Sequence, residues 1–134
     1  MIRLSKDEIE EQNVRLADAI TPHKVEIYVK CRDLADLDFT DKSDPYAVMY
    51  LRAEKDTKWN KVGETEKVMN SLDPNFTKPF SVNYMFERNQ LIRIEVYDYD
   101  DVTDHDLIGS FECYLNKLLT NKSQMLTDTL TFPN

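Results

Sequence analysis

Hydrophobic and polar side chains alternate along short runs from residue 24 onward, with turn-forming residues between the runs. Successive side chains of a strand point to opposite faces of a sheet, so this alternation predicts strands with one buried face. The links between the runs are rich in Asp, Asn and Pro, which favour turns. Their spacing predicts an all-β antiparallel β-sandwich. The predicted strands are VEIYVKC (25–31), YAVMYL (46–51), KWNKVGETEKV (58–68), FSVNYMF (80–86), LIRIEVY (91–97), LIGSFECYL (107–115) and a weak TLTF (129–132).

The N-terminal residues follow a different pattern. SKDE (5–8) is a capping box with acidic residues in the first turn, so we expect a short helix over 5–12. Residues 13–20 fit either a helical stripe or an interrupted strand. The N-terminus has no apolar segment of the kind found in signal peptides. We therefore expect an N-terminal extension, 1–22, followed by one domain, 23–134.

The composition limits the classes of partner. The 134 residues carry a net charge of −8, which disfavours nucleic acid because a surface that binds nucleic acid needs basic residues. The same charge disfavours direct attraction to anionic lipid, so a membrane contact would need a cation between protein and lipid. Cys31 and Cys113 lie far apart in apolar runs, so we expect two reduced core thiols and a cytoplasmic location.

Two predicted loops concentrate carboxylates. Loop A, LADLDFTDKSDPY (34–46), contains four aspartates, and loop B, YDYDDVTDHDLIG (97–109), contains five. Clustered oxygen ligands suit calcium, which takes about six to eight oxygens in a flexible geometry. No register of loop B fits the ligand pattern of an EF-hand. His105, inside loop B, is expected to face solvent.

These loops carry a resemblance to a known family. LDFTDKSDPY, NSLDPNF and YDYDDVTDHDLIG are similar to the three calcium-binding loops of C2 domains, which bind lipid in a calcium-dependent manner. Loop A has aspartates six residues apart, and loop B has aspartates at i, i+2 and i+8, as in that family. The resemblance spans residues 24–115 and implies an eight-stranded antiparallel Greek-key β-sandwich.

The resemblance also implies a site for two to three calcium ions. The implied ligands are the carboxylates of Asp38, Asp44, Asp98, Asp100 and Asp106 and the backbone carbonyls of Leu37 and Tyr99. Phe39 and Val102 are the implied apolar tips that contact a membrane. The neighbouring aspartates that are expected to face solvent instead are Asp36, Asp41, Asp101 and Asp104.

Within the C2 family, the chain is most similar to the first C2 domain of the copines, through stretches such as VEIYVKCRDL and LIGSFECYLNKLL. This resemblance implies calcium-dependent binding to anionic, phosphatidylserine-like membranes, and peripheral targeting of a larger copine-like cytoplasmic protein. A further strand is expected after TLTF, and either it is missing or residues 13–20 take its place.

A protein-interaction module with calcium-ordered loops is the alternative function. Its surface would be the exposed strand around Lys58–Glu66. An enzyme is not expected, because the sequence contains no nucleophile elbow, phosphate-cradling glycine loop or metal-binding His pair.

Overall fold

The computed structural model describes residues 23–36, 42–101 and 104–131. Six strands and one short helix occur in this part of the chain. In chain order they are β1 (His23–Ile27), β2 (Pro45–Ala53), β3 (Asn60–Glu64), β4 (Phe80–Tyr84), β5 (Gln90–Asp98), β6 (Asp106–Tyr114) and α1 (Leu115–Thr120). The helix expected over 5–12 and the ambiguous segment 13–20 lie outside the described residues.

The strands form two antiparallel sheets. β1 pairs with β4, and the other four strands form a sheet in the order β3-β2-β5-β6. Residues of both sheets meet in one hydrophobic core, for example Ile27 and Val82 of the small sheet with Met49 and Ile94 of the large one. The predicted all-β antiparallel sandwich is therefore confirmed, and six of its eight implied strands are present among the described residues.

The C-terminal region differs from the sequence prediction. The strand predicted over 107–115 ends at Tyr114, and the chain continues as α1, whose first residue, Leu115, is buried. Leu and Lys are good helix formers, and the run LNKLL contains no β-branched residue. The weak strand predicted over 129–132 is reduced, in its described part, to an isolated bridge between Thr131 and Ser110.

β5 carries the alternation that matters most for the site. Ile92, Ile94 and Val96 are buried on one face of the strand. The next residue on that face is Asp98, and only 6% of its surface is exposed. The inner face of β5 therefore ends on a carboxylate at the rim of the core.

The two cysteines belong to this core region. Cys113 is buried and Cys31 is half-buried, and both are free thiols, as predicted. Burial raises the pKa of both, that of Cys31 to about 11 although Arg32 opposes the shift. Both side chains are therefore protonated thiols at neutral pH, and they pack as small apolar groups.

Gly109 provides a test of how β6 packs. A Cβ at Gly109 would lie 2.8 Å from the Cβ of Leu130 and 3.1 Å from the carbonyl oxygen of Thr131. We expect Gly109→Ala to lower the free energy of unfolding by about 1–3 kcal/mol, because the 130–131 segment must shift. Gly63→Ala is the control, since a Cβ there meets no atom within 4 Å. Equal effects of the two substitutions in urea titrations would contradict this packing.

Glu66 ties the segment after β3 to the start of the next strand. Its carboxylate accepts hydrogen bonds from the Thr77 backbone N–H and hydroxyl, both 2.7 Å, and from the Lys78 N–H, 3.2 Å. Desolvation by burial raises the pKa of Glu66, but these bonds outweigh it and lower the pKa from an ordinary 4.5 to about 2. The ionised form is therefore stabilised by folding.

This carboxylate makes stability depend on pH. A folded pKa below the unfolded one contributes stability that is present above pH 4.5 and is lost as the pH falls toward 2. We expect Glu66→Gln to lower the free energy of unfolding by about 1 kcal/mol at pH 7, and the difference from the parent to shrink across that window. Glu64→Gln, which removes an exposed ion pair with Lys61, is the control and should change the free energy of unfolding at pH 7 by less than Glu66→Gln does. A difference for Glu66→Gln that stays constant from pH 7 to pH 2.5 would argue against this role.

Candidate cation-binding site

Loop A is joined to the end of β5 by Asp44. The Asp44 N–H donates to the Oδ1 atom of Asp98 at 2.9 Å, and the Asp44 carbonyl oxygen accepts from the Tyr99 N–H at 3.0 Å. The strand register places Asp98 opposite Pro45 on one side and opposite Asp106 on the other. Both acidic loops therefore meet at one end of the large sheet.

The 65–71 segment, which follows β3, is hydrogen-bonded to loop A at the same end of the large sheet. The Asn70 N–H donates to the Oδ1 atom of Asp44 at 2.6 Å, and the Asn70 side-chain oxygen accepts from the Lys42 N–H at 2.9 Å. Asn70 has a φ of 56°, a left-handed conformation that Asn adopts more readily than most residues. The Ser71 N–H also donates to the Ser43 carbonyl oxygen at 2.8 Å. Asn70 therefore holds the carboxylate of Asp44 in place.

The three segments enclose a cleft of about 320 Å³. It is lined by Asp44, Met69, Asp98, Tyr99, Asp100, Asp101 and Asp106. All the predicted site residues that the structure describes are thus brought to one cleft. Asp101, which was expected only to face solvent, is exposed and also lines it.

The donor set of the cleft fits a hard cation. The described residues that line the cleft contribute five carboxylates and no thiol or imidazole, which suits calcium rather than zinc or copper. Asp98 and Asp106 are cross-strand partners, and like charges directly opposite each other destabilise a sheet. A bound cation would offset this repulsion.

The cleft is not a closed metal cage. Among the residues that the structure describes, no three His, Cys, Asp or Glu side chains lie close enough together to hold a metal ion. Leu37, Asp38, Phe39 and Val102 lie outside the described residues, so two of the three implied ligands from loop A and both apolar tips are not placed. Calcium ligation by the five aspartates stays a prediction.

An aromatic cluster borders the cleft. The ring of His105 meets those of Tyr46 and Tyr99 edge-on, with centroids 5.3 and 4.9 Å apart, and its Nδ1 atom forms a hydrogen bond with the Tyr46 hydroxyl. The Nζ atom of Lys67 lies 4.7 Å from the ring centroid of Tyr99. The expectation that His105 faces solvent is therefore wrong: His105 is half-buried and supports loop B. The sequence pattern contains no signal for these contacts, because they join residues from three separate segments.

The family is decided by comparison with known proteins. The model of the C2 domain family matches residues 23–130. The chain belongs to the C2 domain family. C2 domains are regulatory, non-catalytic modules that in general bind calcium and phospholipid or other proteins. No helix among the described residues is long and apolar enough to span a bilayer.

Curated relatives of this C2 domain include copines, as predicted. The chain is 37% identical over 119 residues to Copine-D of Dictyostelium discoideum, covering 84% of this chain and 22% of that protein. It is 36% identical over 131 residues to nicotinic receptor-associated protein 1 of Caenorhabditis elegans, covering 81% of this chain and 21% of that protein. The chain thus spans about a fifth of the length of these relatives.

Solved structures agree on the fold. The structure titled BON1-C2B is 30% identical with a TM-score of 0.63, and the match covers 77% of this chain and 72% of that one. Human GIVD cytosolic phospholipase A2 matches with a TM-score of 0.64 over 77% of this chain and 13% of that one. Its 20% identity shows a shared fold alone.

The cleft can be tested by its response to calcium. We expect saturating calcium to raise the Tm of the parent protein, since a ligand at 100 times its Kd adds about 2.7 kcal/mol to stability. Asp98→Asn should lose most of this shift, because the substitution removes a charge from the centre of the site. Asp56→Asn, at the distant end of β2, is the matched control and should keep the full shift. A parent protein whose Tm does not change when calcium is added would refute the site.

Proposed function

We propose that this C2 domain binds anionic phospholipid membranes in a calcium-dependent manner and targets a larger, copine-like cytoplasmic protein to them. The observation that carries the proposal is the carboxylate-lined cleft at one end of the sandwich. Bound calcium would supply a hard, positively charged centre for oxygen ligands. The residues that would hold two to three ions are Asp38, Asp44, Asp98, Asp100 and Asp106, with the carbonyls of Leu37 and Tyr99.

The charge of this end of the domain limits how a membrane is bound. The five proposed ligand carboxylates carry −5, so two calcium ions leave −1 and three leave +1. With Asp36, Asp41, Asp101 and Asp104 included, the charge is −9, and two or three ions leave −5 or −3. Net charge therefore does not attract this end of the domain to an anionic surface. Lipid phosphate or carboxylate oxygens are expected to enter the coordination of the cation directly.

Apolar tips add a second contribution. Phe39 and Val102 are the proposed membrane contacts of loops A and B. Burial of each side chain contributes about 1.5–3 kcal/mol of binding free energy. The sum of the two contributions is comparable to that of a marginal lipid anchor. Reversible binding is therefore expected for the domain by itself, and stable binding requires avidity from further domains.

A protein partner is the second candidate. One relative is named for its association with a nicotinic receptor. β3 forms one edge of the large sheet and pairs there only with β2 among the described strands, so its other edge can accept a strand of a partner. We propose no catalytic role for this chain.

Sedimentation with liposomes separates these functions. We expect the parent protein to sediment with phosphatidylserine vesicles in calcium and to remain in the supernatant in chelator. Asp98→Asn should lose at least tenfold in affinity, which corresponds to about 1.4 kcal/mol. Asp56→Asn should bind as the parent does. Equal binding in calcium and in chelator would rule out the calcium-dependent function, and failure to bind any vesicle would favour the protein partner.

A further inference from the structure

We propose that Met69 is a third lipid-contacting side chain, which the 65–71 segment presents beside the acidic cleft. The inference rests on the proposed function and extends it, because the two membrane contacts proposed so far lie in loops A and B. The proposed ligand of Met69 is the acyl-chain region of an anionic membrane.

Met69 is exposed in an unusual setting. Met69 is 63% exposed, and it lines the same cleft as Asp44, Asp98 and Asp106. Contact of an apolar side chain with water is unfavourable, and Met69 is not among the side chains packed against the hydrophobic core. Its exposure therefore contributes nothing to the stability of the isolated domain.

The backbone around Met69 is held in place on both sides. The Val68 N–H donates to the Pro45 carbonyl oxygen at 2.9 Å, and the Asn70 N–H donates to Asp44 Oδ1 at 2.6 Å. The left-handed conformation of Asn70 turns the chain directly after Met69. The side chain is thus presented from a fixed position, so membrane contact would order little additional backbone.

The size of the patch favours lipid over protein. A stable protein interface buries more than about 1,000 Å², whereas Met69 is a single apolar side chain on a carboxylate-lined rim. Lys67, two residues earlier, places an ammonium group over the ring of Tyr99, which lines the cleft. An apolar residue and a cation next to a cation-binding cleft match the acyl chains and phosphates of an anionic membrane. The flexible thioether of Met adapts to an irregular acyl surface.

The first test compares two methionines. Met69→Gln should weaken calcium-dependent binding to phosphatidylserine vesicles about five- to tenfold. Met69→Leu should bind as the parent protein does, since Leu is apolar and of similar size. Met125→Gln is the matched control, because Met125 is 59% exposed but lies after α1 and outside the cleft. All three variants should keep the full calcium-induced shift in Tm, which shows that the cation site is intact.

The second test measures contact directly. In a Trp59→Phe background, the fluorescence of Met69→Trp should be quenched by lipids brominated in their acyl chains when calcium is present. Met125→Trp in the same background should not be quenched.

The outcomes distinguish this inference from the function on which it rests. Unchanged vesicle binding by Met69→Gln, or absence of quenching for Met69→Trp, would overturn the role of Met69 while the calcium-dependent function stands. A parent protein that does not bind vesicles in calcium would overturn both. Loss of binding by Met69→Gln to a protein partner but not to vesicles would assign Met69 to a protein interface instead.

Discussion

The backbone contacts of Asp44 govern the geometry of the candidate site. Its N–H group donates to the carboxylate of Asp98, and its carbonyl oxygen accepts from Tyr99, so loop A is joined to the end of β5 by two hydrogen bonds. The register of β5 between β2 and β6 puts Asp98 opposite both Pro45 and Asp106. A slip of one residue would turn Asp98 to the other face of the sheet. The acidic cleft is therefore a consequence of strand register.

The same strand register places the negative charge of Asp98 at the edge of the core, where a charge does not favour folding. Asp98 continues the buried face of a core strand, a position that usually holds an apolar residue. Backbone N–H donors partly offset this cost: the Asp44 N–H serves Asp98, and the Asn70 N–H serves Asp44. A departure from the local hydrophobic pattern that is supported by neighbouring backbone is typical of functional sites. The fold thus brings these carboxylates to one cleft, although no three of them among the described residues lie close enough together to hold a metal ion.

Local sequence patterns predicted most of the strands of this fold but few of the contacts that position the site. Alternation located the six described strands to within a few residues, because one face of each packs on the core. It assigned Leu115 to a strand, although Leu115–Thr120 form α1, since a short apolar run is compatible with either structure. No local pattern predicted the contacts of His105, Lys67 and Asn70, because these contacts join segments distant in sequence.

The sequence by itself determined the class of fold, the C2 family, and the chemistry of the site. These depend on the period of the apolar residues and on the identity and spacing of the aspartates, which are local properties. Only the tertiary structure decided which carboxylates share a cleft, that Asn70 positions Asp44, and that Met69 is exposed beside it. Those facts depend on strand pairing and on hydrogen bonds between separate segments, such as those of Asp44 with Asp98 and Asn70, whose geometry no local pattern encodes.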